Sequence, residues 1–76
     1  MEYEILKKAI SRVLQVYENE ITPEATFAGD LGADSIDMMQ IMQYVEQVMD
    51  KKFKLLDLDR VVTVADGVRV MQNEME

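Results

Sequence analysis

Apolar residues at the start of the chain recur at helical spacing. Leu6, Ile10, Val13 and Tyr17 are separated by four, three and four residues, with Tyr3 and Ala9 beside the same stripe. Such a repeat lays them along one face of a helix. Glu4, Lys7, Lys8, Ser11, Arg12 and Gln15 lie away from it. The pattern predicts a helix over 3–17, with Glu2 and Glu4 suited to the positive end of its dipole. A second helix is predicted over 35–50, where Met38, Ile41, Met42, Val45, Val48 and Met49 share a core face at about 100° per residue. Ile36 and Met39 fall outside that face, on the side that carries Gln43, Glu46 and Asp50.

The remaining segments complete a bundle. Residues 18–34 form a long connection in which Thr22-Pro23 predicts one short helical turn, and Phe27 and Leu31 are the expected anchors to the core. A connection this long in a small domain is usually functional or disordered. Lys51-Lys52-Phe53-Lys54 closes the second helix, with lysines at its negative end and Phe53 turned to the core. Leu55, Leu58 and Val61 fit a short third helix over 55–61. Thr63-Val64-Ala65-Asp66 resembles a capping box with aspartate in place of glutamate. It opens a last helix from 64 to about 74 that buries Val64, Val68 and Met71. Gly67 inside that helix costs about 1 kcal/mol against alanine and leaves room for another helix or a ligand. The expected fold is all-α: a four-helix bundle with a long first loop and a short third helix, in a single domain over 1–76.

Composition narrows what such a bundle can do. With 76 residues the core is thin, and 49% hydrophobic content is still enough to fold it. The chain has no cysteine and no histidine, so it lacks disulfides, thiolate metal ligands and the commonest general base. No apolar run approaches the ~20 residues needed to span a bilayer. The acidic Met1-Glu2-Tyr3-Glu4 start does not read as a secretory signal, so a cytoplasmic location is expected. Net charge is −7, and no lysine or arginine occurs between Arg12 and Lys51. That interval repels nucleic acid and anionic membranes and attracts partners with basic surfaces.

Candidate chemistry concentrates in Asp30-Leu31-Gly32-Ala33-Asp34-Ser35-Ile36-Asp37. Gly32 permits a tight turn and Asp34 is a good N-cap for the second helix. Ser35 then sits in the first turn, where free N–H groups and the helix dipole favour a phosphate. A serine held there is well placed to carry a phosphodiester. Beside it, Ile36 and Met39 form a small exposed apolar patch suited to docking a partner.

The run Leu31-Gly32-Ala33-Asp34-Ser35-Ile36-Asp37 resembles the Leu-Gly-x-Asp-Ser-Leu signature of acyl carrier proteins, with Ile36 for the usual leucine. Length, acidity, the long first loop and Val61-Val62-Thr63-Val64 extend the resemblance over nearly the whole chain. It implies that Ser35 carries a 4′-phosphopantetheine arm derived from coenzyme A, whose thiol holds an acyl group as a thioester. It implies no catalytic residue and no metal. The partners it implies are a phosphopantetheinyl transferase and acyltransferase, ketosynthase or ligase enzymes with basic surfaces, docking on Asp34, Ile36, Asp37, Met39 and Glu46. The chain is expected to act as a monomer. An acyl chain would slip between the second and third helices, near Ile41, Val45, Phe53, Leu58, Val61 and Gly67, and Met38, Met42, Met49 and Met71 give that core adaptable side chains.

Many relatives in fatty-acid synthesis carry acids where this chain has Gln40 and Gln47, and methionine or valine at the Gln43 position. The amide-rich surface fits a dedicated pathway, such as a polyketide-type one. Carriers of aminoacyl or peptidyl groups, in nonribosomal or D-alanyl-type pathways, share the serine motif and are the main alternative. Two other classes fit poorly. A serine hydrolase needs a base beside Ser35, and neither histidine nor lysine is near it in sequence. A calcium site of the EF-hand kind needs ligands at loop positions 1, 3, 5 and 12, which Asp30, Asp34 and Asp37 do not match.

Overall fold

The computed structural model describes residues 1–52 and 61–73. Among these residues the regular elements are helical: α1 (Glu2–Leu14), α2 (Ser35–Met49) and α3 (Val64–Asn73), with a single 3-10 turn at Glu18–Glu20. The expected short helix over 55–61 lies outside the described residues except for Val61, as do Phe53 and Leu58.

Helix α1 stops three residues short of the predicted end. Gln15 adopts the left-handed conformation (φ 57°, ψ 47°), which turns the chain off the helix axis. The Ser11 hydroxyl donates to the Val16 carbonyl at 2.6 Å and satisfies an acceptor just past the turn. Once the chain leaves the helix, the 3.6-residue period no longer sets side-chain direction. Tyr17 is therefore 77% exposed, not part of the buried stripe.

Helix α1 packs against both α2 and α3. Leu6, Ala9 and Ile10 bury against Ile41 and Val45 of α2 and Val64 and Met71 of α3. Four further buried residues, Ile21, Ala25, Phe27 and Ala33, come from the connection, which is thus a structural layer of the core. Met38, Met49 and Val68 pack against that core while half-buried, and Leu31 does the same as an anchor weaker than Phe27. Val48 departs from the predicted face: it is 53% exposed in the last turn of α2. A shared helical angle does not by itself bury a residue: Met49 of the same turn packs against the core, whereas Val48 does not.

The connection is held by its backbone. Ala25 N–H donates to Thr22 C=O at 3.1 Å, so Thr22-Pro23 opens a hydrogen-bonded turn and not a helix. Thr26 and Thr63 form an isolated antiparallel bridge. Phe27 N–H donates to Val62 C=O at 3.0 Å, Val64 N–H to Ala25 C=O at 3.0 Å, and Ala65 N–H to Pro23 C=O at 2.9 Å. The connection and the start of α3 are therefore one unit. Asp66 closes that start: its carboxylate accepts from Thr63 N–H at 3.0 Å and Val62 N–H at 3.1 Å, and Thr63 Oγ1 accepts from Asp66 N–H at 3.1 Å. This is the capping box expected from the sequence, and Arg69 pairs with the same carboxylate.

Candidate functional site

A stapled turn leads the chain into α2. Thr26 and Asp30 bond reciprocally, with Thr26 N–H donating to Asp30 Oδ2 and Asp30 N–H to Thr26 Oγ1, both at 2.9 Å. Leu31 N–H donates to Thr26 C=O at 3.0 Å and Ala33 N–H to Phe27 C=O at 2.8 Å. Gly32 takes φ 69°, a left-handed conformation that residues with a Cβ resist. Ala33 is buried, which presses the turn onto the core directly before the helix begins.

Asp34 is the N-cap of α2, as the sequence predicts, in an extended conformation (φ −97°, ψ −176°). Asp37 N–H donates to Asp34 Oδ1 at 2.8 Å, and Asp34 N–H donates to Asp37 Oδ2 at 3.2 Å. A helix start leaves four N–H groups without intrahelical partners. The reciprocal box satisfies those of Asp34 and Asp37. Among the described residues nothing bonds the other two, on Ser35 and Ile36. Ser35 is the first residue of α2 and is exposed. The arrangement thus offers one hydroxyl beside two open N–H donors at the positive end of a helix.

Around Ser35 the surface is mixed. Ile36 is 65% and Met39 43% exposed, in keeping with their predicted place outside the core face. Gln40, Gln43 and Gln47 are exposed further along α2. Glu46 is half-buried and engaged, and it lines an open groove with Gln43, Gln47, Asp50, Lys51 and Lys52.

Residues expected to line an acyl site are partly gathered. Ile41 and Val45 are buried one turn apart on α2, and Val61 is half-buried against the core. Gly67 is buried against α1 and the connection: a Cβ there would lie 2.9 Å from Leu6 Cδ2 and 3.7 Å from Phe27 Cζ. The space at Gly67 is thus used for close helix contact.

Sequence reasoning missed the Asp34–Asp37 box, the Thr26–Asp30 staple and the groove at the end of α2. An acid three residues beyond the N-cap was the available signal for the first.

What the fold and this turn define is a domain that presents a hydroxyl at an exposed helix start. A family model described as a phosphopantetheine attachment site matches residues 4–70. The chain belongs to that family of carrier domains, on which 4′-phosphopantetheine is covalently attached. Membership implies interaction with a modifying transferase and with biosynthetic enzymes. No helix among the described residues is long and apolar enough to cross a membrane.

Proposed function

We propose that Ser35 is the attachment residue, and that the chain carries acyl intermediates in fatty-acid or specialised polyketide-type biosynthesis. One observation carries the assignment of Ser35: of the two serines in the chain, it alone stands exposed at a helix start. Ser11 is half-buried on α1, and its hydroxyl is committed to the Val16 carbonyl. The residues at Ser35 fit the group. The hydroxyl oxygen would become the bridging oxygen of a phosphodiester, and the open N–H groups of Ser35 and Ile36 face the region where its charge would lie. When attached, the arm supplies a thiol that holds the cargo as a thioester.

The protein contributes orientation and recognition. Ile36 and Met39 provide an apolar contact for partner enzymes, and the surrounding acids favour basic ones. Exposed Gln40, Gln43 and Gln47 make this face amide-rich, which favours a dedicated pathway. An acyl tail would seat beside Ile41, Val45 and Val61, and reaching Gly67 would require Leu6 to move.

Incubating the apo-protein with coenzyme A and a broad-specificity phosphopantetheinyl transferase tests the assignment by intact mass. The wild type is expected to gain one arm and Ser35→Ala none. Ser35→Ala is expected to remain folded, because exposed substitutions usually change stability by less than ~0.5 kcal/mol. An equal gain in Ser35→Ala overturns the proposal.

A further inference from the structure

We infer that Asp37 is a positioning residue for the loading reaction: its carboxylate acts on the chain's own backbone and fixes where Ser35 is presented. The inference rests on Ser35 as the attachment residue. An acid two residues beyond a modified serine invites the reading that its charge greets a basic enzyme. The geometry gives it an inward task as well, because one of its carboxylate oxygens bonds the chain's own backbone. Asp37 Oδ2 accepts from Asp34 N–H, while Asp34 Oδ1 accepts from Asp37 N–H. The two bonds close a ring around Ser35 and Ile36, the residues lying between the partners in sequence. They hold Asp34 extended, and Asp34 sets the direction in which the first helical residue leaves the turn. Helix ends fray, and without the box Ser35 would spend part of its time on an unwound turn. A nucleophile displaced by about 1 Å can lose about a hundredfold in rate, so a frayed start is costly even where the fold survives. Thr63 and Asp66 make the same reciprocal box at α3, which shows that this spacing serves as a backbone device elsewhere in the chain.

The two roles of Asp37 separate by chemistry. Asparagine keeps an oxygen that can accept the Asp34 N–H and loses the charge; alanine loses both. Loading kinetics are measured with apo-protein as the varied substrate, coenzyme A saturating and one transferase, for wild type, Asp37→Ala, Asp37→Asn and Ser35→Ala. Positioning predicts that Asp37→Ala lowers kcat about tenfold with KM within about twofold, and that Asp37→Asn recovers kcat to within about threefold of wild type. A raised KM at unchanged kcat, shared equally by Asp37→Ala and Asp37→Asn, overturns it and makes Asp37 a docking charge. Amide exchange in the wild type gives a second measurement should Asp37→Ala fail to fold. The Asp34 and Asp37 N–H groups are expected to exchange at least about tenfold more slowly than those of Ser35 and Ile36. Equal exchange of all four overturns the inference. Arm gain by Ser35→Ala would mark failure of the attachment assignment. An inert Ser35→Ala together with the docking pattern would mark failure of this inference alone.

Discussion

Asp66 shows what one carboxylate can do at a helix start. Hydrogen bonds from the Thr63 N–H, the Val62 N–H and the Arg69 guanidinium lower its pKa from 3.8 to about 2. All three favour the ionised form, so the folded state binds this proton more weakly than the unfolded state does. The resulting stabilisation is complete above the ordinary pKa near 4 and is lost as pH falls through about 2. The Asp66 carboxyl resonance is expected to titrate with a midpoint near 2, and Asp66→Asn to lose the corresponding slope of stability with pH between 4 and 2. A midpoint at 3.8 would show that the box is open in solution. The sequence revealed this cap because threonine and an acid stand three apart ahead of an apolar run. It revealed only half of the equivalent cap at α2. Asp34 reads as an N-cap, whereas Asp37 reads as surface charge, because acidity around Ser35 supplies a ready explanation in terms of partners.

At the scale of elements, periodicity located the helices and missed how α1 ends. Leu6, Ile10, Ile41, Val45, Val64 and Met71 are all buried on the faces their spacing predicts. The end of α1 was illegible because a glutamine, not a glycine, takes the left-handed position at Gln15. Gly67 tests the contact between elements. Alanine would gain about 1 kcal/mol of helix propensity. Its Cβ would stand 2.9 Å from Leu6 Cδ2, in a core where Leu6 is 4% exposed. Overpacking of this kind typically costs about 1–3 kcal/mol, so Gly67→Ala is expected to be net destabilising by about 1 kcal/mol. Leu6→Val should relieve part of that loss, and a double-mutant cycle in urea would read the coupling. A stabilising Gly67→Ala would show that Leu6 yields freely.

For the molecule as a whole, charge is segregated along the chain. Lys7, Lys8 and Arg12 lie on α1, and no base follows until Lys51. The turn and α2 therefore meet partners with a negative field. Loading by a basic transferase is expected to slow severalfold as ionic strength rises from about 0.05 to 0.5 M, where the screening length falls from roughly 14 to 4 Å. A rate indifferent to salt would place recognition in apolar contacts such as Ile36 and Met39. The acidity and the long connection were both plain in the sequence. Phe27 was legible there as an anchor to the core and is buried, whereas Ile21, Ala25 and Ala33, also buried, were not, because they follow no helical or strand period.

The bridge between Thr26 and Thr63 also limits how this chain can be recombined with its relatives. The carbonyls of Pro23, Ala25 and Val62 and the N–H groups of Phe27, Val64 and Ala65 are matched across it, although the two segments stand far apart in sequence. A chimera that transplants the connection alone would bring half of each pair into a foreign register. The inheritable module is discontinuous: the stretch around 23–27 together with 62–65. A single crossover placed between 27 and 62 divides it, whereas one placed ahead of 23, or an exchange of both segments, leaves every matched group with its own partner.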